Sequence, residues 1–301
     1  MPKAPRTIVL RSFAKINLGL QVIGKRPDGY HEVRTVLQTI DLHDQLVLER
    51  TRMPGIHFGS NALEIDPVDN LVTRAIRIFL RRAKVSGGVR ARLEKVIPIA
   101  AGLGGGSSNA AATLLGLARL FRLDLGPSDL LPWAVKLGSD VPFFLLGGTA
   151  LGVGRGSEVY PLPEPPERHV LLAIPSPGTS TEKAYSSLSL QLTKAHPESM
   201  IPRFCSGFWT GLEHQRSQDN DFETIFFESF PRLRRVKAEF LAAGALAAGL
   251  TGSGSALFGL FGRSGELKRA IAGMARLDLQ LVRTRTLKRA AYRSALVECL
   301  R

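Results

Sequence analysis

"PIAAGLGGGSSNAAATLLGLARLF", residues 98–121, decides how the rest of the chain is read. Glycines at 102, 104, 105 and 106 fill four of five consecutive positions and lead into two serines and an apolar run. Glycine has no Cβ, so its backbone admits a close anion and reaches φ > 0. A helix starting there leaves its first N–H groups unpaired and turns its positive dipole end toward the loop. Ser107 and Ser108 are placed to cap that helix or to bond phosphate oxygens. The residues that follow carry no charge until Arg119, the pattern of a helix buried all round. The stretch predicts a phosphate-binding loop on a core-anchored helix from about Ser107 to Phe121. It is not GxxxxGK[ST], and it is not a dinucleotide fingerprint. A nucleotide fold of another kind is required, and the cation that a P-loop lysine supplies must come from elsewhere.

Upstream, residues 7–23, 33–40 and 44–49 alternate and read as strands, with the turn "RPDGY" between the first two. Residues 69–83 predict an amphipathic helix with Leu71, Ala75, Ile78 and Phe79 on one side, and 88–99 a strand. Downstream, 127–138 predicts a short helix with Pro127 at its start and Gly138 at its end. Residues 142–154 read as a strand with a glycine break. "PLPEPPER" (161–168) reads as a linker, because proline stops both regular structures. After it come a strand at 169–175, helices between about 181 and 243, and two strands around "LTGSGSALFGLF" (250–261). A helix at 264–276 and a strand at 280–287 close the chain. The expected class is α+β in two domains, 1–165 and 166–301.

At 301 residues the chain is comfortable for two domains, and its 44% apolar and 22% charged residues are those of an ordinary globular protein. No apolar run approaches the roughly 18 residues of a membrane span. Lys15 and Asn17 interrupt the N-terminal apolar stretch, and no cleavable leader is read. Cys205 and Cys299 imply neither a disulfide framework nor a zinc site, which fits a reducing cytoplasm. The net charge of +14 favours anionic partners. Its carriers, "RIFLRRAK" (77–84), "PRLRRVK" (231–237) and "RTRTLKRAAYR" (283–293), are separate and interleaved with apolar residues, as on solvated faces.

"PIAAGLGGGSSNAAA" resembles the second motif of the GHMP kinases, the family of galactokinase, homoserine kinase and mevalonate kinase. "SFAKINLGLQVIGKRPDGYHEV" (12–33) resembles its first motif and "LTGSGSALFGLF" its third, in the family's order and over most of the chain. "GSDVPFF" (138–144) and "NDFE" (220–223) narrow the resemblance to a branch whose substrate carries a cytidine diphosphate group, in the non-mevalonate route to isoprenoid precursors. The resemblance implies an N-terminal domain with a left-handed βαβ crossover and a ferredoxin-like C-terminal domain. It also implies transfer of the γ-phosphate of ATP, accompanied by Mg2+, to an alcohol.

Phosphoryl transfer needs positioning, charge neutralisation and a group to take the alcohol proton. Asp140, beside a proline and two phenylalanines, is the base candidate. Pattern alone leaves a turn aspartate equally open, and the resemblance makes Asp140 catalytic. Lys15 and Asn17 share a face of their strand. Pattern leaves open an edge-strand lysine, whereas the resemblance pairs Lys15 with Asp140 at the reacting hydroxyl and lets Asn17 orient the substrate. Asp140 is then expected to act mostly by orientation, with late proton transfer.

The resemblance further assigns Tyr30 and His31 to the cytidine end, Thr181 to the neighbourhood of the transferred group, and Gly252, Ser253 and Gly254 to closing around the substrate. The ATP phosphates fall to Pro98, Ile99, Ala100, Ala101, Gly102, Leu103, Gly104, Gly105, Gly106, Ser107 and Ser108. Asn70 and Lys95 match positions lining the adenine pocket. The glutamate that some relatives use for magnesium has no clear counterpart, and no metal ligand is named. Residues 191–218 match no pattern.

The expected partner is a small molecule bearing a cytidine diphosphate group, with neither nucleic acid nor membrane, on a monomer or homodimer. A homoserine- or mevalonate-type kinase is the alternative within the family, and "PDGYHEV" argues against it. An RNA-binding protein is the alternative from another class. It would show basic strands interleaved with aromatics, unlike "FAKINLGL".

Overall fold

The N-terminal alternation forms two long strands, β1 (Thr7–Lys25) and β2 (His31–Thr51), paired antiparallel throughout. The computed structural model describes residues 6–175, 220–275 and 277–298. The two segments read as separate strands at 33–40 and 44–49 are one strand whose register against β1 shifts between Phe13 and Ala14. Ile8 and Leu10 pack on the helical side, whereas Ala14, Ile16 and Leu18, of the same parity, pack between two sheets. The shift therefore changes which layer that parity of β1 addresses.

Next come β3 (Ile56–Ser60), α1 (Leu71–Arg82) and β4 (Gly88–Glu94). β3 and β4 are parallel, with α1 crossing between them. α2 (Gly105–Leu120), α3 (Pro127–Leu137) and α4 (Val141–Leu146) follow, then the hairpin β5 (Thr149–Val153) and β6 (Glu158–Pro161). The second unit runs β7 (His169–Pro175), α5 (Phe222–Ser229), α6 (Pro231–Ala242), β8 (Ala247–Leu250), β9 (Leu257–Phe261), α7 (Ser264–Met274) and β10 (Leu279–Arg285). Its antiparallel sheet has the order β10-β7-β9-β8. In chain order that is fourth, first, third, second, the ferredoxin-like arrangement. α8 (Arg289–Ala295) and β11 (Val297–Glu298) then return to the first sheet, where β11 pairs with β1.

The first sheet has seven strands, and its helical face carries the largest core, built with α1 to α4. A second core joins the other sheet to α5, α6 and α7. Between the sheets, Ile16, Leu18 and Ile40 meet Val170, Leu172 and Phe258. The molecule is layered helix, sheet, sheet, helix. No helix among the described residues is long and apolar enough to cross a membrane.

Several local expectations change. Residues 141–146 are helix, not strand: Phe143 and Phe144 are both buried, and a short apolar run has no period that separates the two states. The strand predicted to 99 stops at Glu94, because the next N–H groups turn to side chains, that of Lys95 to Asn61 and those of Val96 and Ile97 to a carboxylate described below. The helix after the glycines starts at Gly105, with Gly104 as N-cap at φ 70° and no serine cap. The chain closes not at the strand near 287 but in α8 and β11, held by Leu287, Tyr292 and Leu296 against Phe13. Helices expected between 181 and 219, Thr181 and the 191–218 stretch lie outside the described residues.

Candidate active site

A cleft of about 940 Å³ opens where the glycine loop, the β1–β2 hairpin and the turn after β8 converge. Its lining includes Lys15, Asn17, Tyr30, His31, Asp140, Gly252, Ser253 and residues 98–107.

Three hydrogen bonds shape the loop from outside. Leu103 O accepts from Lys15 N at 3.0 Å, Ala101 O from Ala256 N at 3.2 Å, and Gly102 O from Thr251 Oγ1 at 3.2 Å. Gly102, at φ 75°, lies so close to the second unit that a Cβ there would stand 2.1 Å from Thr251 O. The N–H groups of the first turn of α2 have no intrahelical partners, and Gly104 to Ser107 line the cleft, as an anion site requires.

A fully buried carboxylate supports this loop. Asp44 Oδ1 accepts from Val96 N and Ile97 N, each at 2.7 Å, which ends β4. Asp44 Oδ2 accepts from Lys95 Nζ at 2.8 Å and from Asn109 Nδ2, on α2, at 2.9 Å. One side chain thus ties β2 to both arms of the loop. Burial lowers the Lys95 pKa, and the Asp44 charge opposes that shift.

Lys15 is buried (3% exposed) beneath Gly104 and Phe144. Its Nζ donates to Asn17 Oδ1 at 2.6 Å and stands 3.6 Å from Asp140 Oδ2. Burial holds the Lys15 pKa below the ordinary lysine value, with Asp140 pulling it back up. Asn17 Nδ2 donates to Thr35 Oγ1 at 2.7 Å, and Asn17 N to Thr251 Oγ1 at 3.1 Å. Asp140 follows the Gly138 C-cap of α3 and precedes α4, yet its side chain makes no capping bond. The carboxylate, 37% exposed, is left for the cleft. A buried ammonium and a half-open carboxylate therefore meet beside a helix N-terminus.

At the other end of the cleft, Asp28 Oδ1 accepts from Tyr30 N at 3.2 Å, and Tyr30 O accepts from Arg26 N at 2.7 Å. His31 lies beside Tyr30, and burial together with the Lys25 charge lowers its pKa. Asn220 of "NDFE" donates through Nδ2 to Leu250 O and Gly252 O, both at 2.8 Å, and so holds the turn that carries Gly252 and Ser253.

Three expected site residues are placed differently from the rest. Ser108 points into the core, and its Oγ has no hydrogen-bond partner. Gly254 packs behind its turn, where a Cβ would stand 2.7 Å from the Phe226 ring. Asn70 reaches the cleft, but Oδ1 accepts from Val72 N and Thr73 N as the N-cap of α1 and Nδ2 donates to Asp66 O. Asp44, Asn109 and Thr251 went unread in the sequence, because their partners lie far along the chain. Arg155, also in the lining, sits in a turn with no motif of its own.

The family model for the GHMP kinases N terminal domain matches residues 70–148, and that for the GHMP kinases C terminal matches 205–278. A Solibacter usitatus protein named 4-diphosphocytidyl-2-C-methyl-D-erythritol kinase is 46% identical over 270 residues, 87% of this chain and 84% of its own. A Lachnoclostridium phytofermentans protein of the same name is 41% identical over 271 residues, 87% and 91%. The crystal structure of a 4-(cytidine 5'-diphospho)-2C-methyl-D-erythritol kinase superposes with a TM-score of 0.78 at 34% identity, covering 92% of this chain and 98% of that one. Homoserine kinase from Cytophaga hutchinsonii, with a TM-score of 0.76 at 19% identity over 96% of both chains, shares the fold.

Proposed function

The chain belongs to the GHMP kinase family, and on that premise we propose that it transfers the γ-phosphate of ATP to the 2-hydroxyl of 4-diphosphocytidyl-2-C-methyl-D-erythritol. This is a step toward isoprenoid precursors outside the mevalonate route, carried out in the cytoplasm. The observation that carries the reading is the Lys15–Asp140 pair, 3.6 Å apart in a cleft whose other wall is the N-terminus of α2.

The nucleotide phosphates sit on the free N–H groups of residues 104–107, whose charge preference follows from the helix dipole. The acceptor hydroxyl lies against Asp140, which orients it and receives its proton late in the transfer. Lys15 places a positive charge where the acceptor oxygen and transferred phosphoryl group concentrate negative charge. Asn17, held by Thr35, fixes the Lys15 ammonium. Tyr30 and His31 receive the cytosine, and Gly252 and Ser253 close the cleft from the second unit.

Magnesium binds kinases mainly through the phosphates and one or two protein oxygens. Ser107, at the start of α2, offers such an oxygen: a Cβ at Gly138 would stand 4.0 Å from its Oγ, so the hydroxyl borders the 138–140 turn. Bound there, the ion would neutralise phosphate charge.

A coupled assay of ATP consumption with this substrate, against homoserine and mevalonate, tests the reading. Turnover with the cytidylylated alcohol and not the others is expected. Preference for either control would overturn the assignment.

A further inference from the structure

One face of the Tyr30 ring is occupied by a cation. The Arg155 guanidinium carbon lies 5.1 Å from the ring centroid, within cation–π range. Two contacts fix its plane: NH2 donates to Val135 O at 2.8 Å and Nε to Ser157 Oγ at 3.4 Å. The β5–β6 turn that carries Arg155 is docked on the β1–β2 hairpin, with Gly154 O accepting from Val33 N at 2.7 Å. Gly154 and Gly156, at φ 66° and 89°, let the turn fold back around Arg155. Tyr30 nevertheless remains 52% exposed, and both residues line the cleft.

We infer that Arg155 is a positioning residue for the nucleobase: it backs the Tyr30 ring and turns it into a one-sided stacking platform. A ring on an exposed hairpin samples several rotamers, and ordering it on binding costs entropy. Arg155 removes part of that cost before the base arrives, and a flat aromatic base then stacks on the open face. This rests on the proposed substrate, and it adds a residue and a physical role to that reading. Lysine is a poor replacement, because a compact ammonium over the ring lacks the fork that reaches Val135 O and Ser157 Oγ and holds the cation in place.

The test is a double-mutant cycle on the full chain: wild type, Arg155→Met, Tyr30→Leu and the double variant, with Arg155→Lys as a further variant. Two readouts are taken, steady-state constants and calorimetric binding of cytidine 5'-diphosphate alone. Arg155→Met should raise KM for the cytidylylated substrate and weaken cytidine diphosphate by about 3- to 30-fold. kcat and KM for ATP should hold. Arg155→Lys should lose most of the same affinity. In the Tyr30→Leu background, Arg155→Met should change little. An undiminished loss in that background would mean that Arg155 acts on the ligand directly and would overturn the inference. Equal losses in KM for ATP would reduce Arg155 to a structural role and overturn it as well. Absence of turnover with the cytidylylated alcohol in the wild type would instead fail the proposed function, since the cycle reads only ratios between variants.

Discussion

Replacing Asp44 by asparagine asks whether one buried carboxylate holds the phosphate loop to the sheet. The substitution keeps the shape and one carbonyl oxygen, enough to accept from Val96 N and Ile97 N. The other oxygen becomes an NH2 group facing two donors, Lys95 Nζ at 2.8 Å and Asn109 Nδ2 at 2.9 Å. The Lys95 ammonium, 7% exposed, is then buried without its anion. Removing one partner of such a pair costs about 3–5 kcal/mol. At about 2–4 °C per kcal/mol for a chain of this size class, the unfolding midpoint should fall by roughly 6–20 °C. Lys95→Met removes the charge and keeps the alkyl stem. In the Asp44→Asn background it should restore part of the loss, with a coupling energy of at least about 1 kcal/mol. Thermal and urea unfolding of the four proteins by circular dichroism gives the cycle, and KM for ATP measured alongside should rise in Asp44→Asn. If Asp44→Asn unfolds with the wild type, or the two substitutions add without coupling, the carboxylate is not the support claimed for it.

Three further outcomes follow from the same geometry. Gly102→Ala places a Cβ 2.1 Å from Thr251 O at a residue with φ 75°, so it should weaken ATP and lower the unfolding midpoint; wild-type values for both would refute the close approach. Burial lowers the Lys15 pKa, so its ammonium is lost on raising the pH earlier than an ordinary lysine's. The alkaline limb of kcat/KM should therefore inflect below the ordinary lysine value of 10.5 and vanish in Lys15→Arg, which stays protonated. A limb that persists in Lys15→Arg would assign it to another group. Tyr292→Phe deletes the donor to Phe144 O inside the core and should cost about 1–3 kcal/mol in urea unfolding, with KM for ATP unchanged.

The features legible in the sequence share a local signal. The glycine run, the Lys15–Asn17 spacing and the "RPDGY" turn each depend on residues within a few positions of one another. α4 was misread because Val141–Leu146 is apolar on every side, which erases the period that distinguishes helix from strand. The return of α8 and β11 to the first sheet has no local signal, because it is set by packing against Phe13 and pairing with β1. Asp44 reads as an ordinary strand-end acid until its donors, more than fifty residues downstream, are brought to it. Asn109 and Thr251 are of the same kind: small polar residues whose task is to join segments, with no motif to announce it. Serine capping failed for a geometric reason, since Gly104 at φ 70° starts the helix ahead of the serines.

The central claim is that Asp140, beside Lys15, acts on the acceptor hydroxyl and not on ATP. Single-turnover phosphoryl transfer from ATP to 4-diphosphocytidyl-2-C-methyl-D-erythritol by Asp140→Asn, with ATP affinity measured on the same preparation, tests it most directly. The account predicts a rate lower by about 10²- to 10⁴-fold with ATP affinity essentially unchanged. A near-normal rate, or a loss explained by weaker ATP binding, would contradict it.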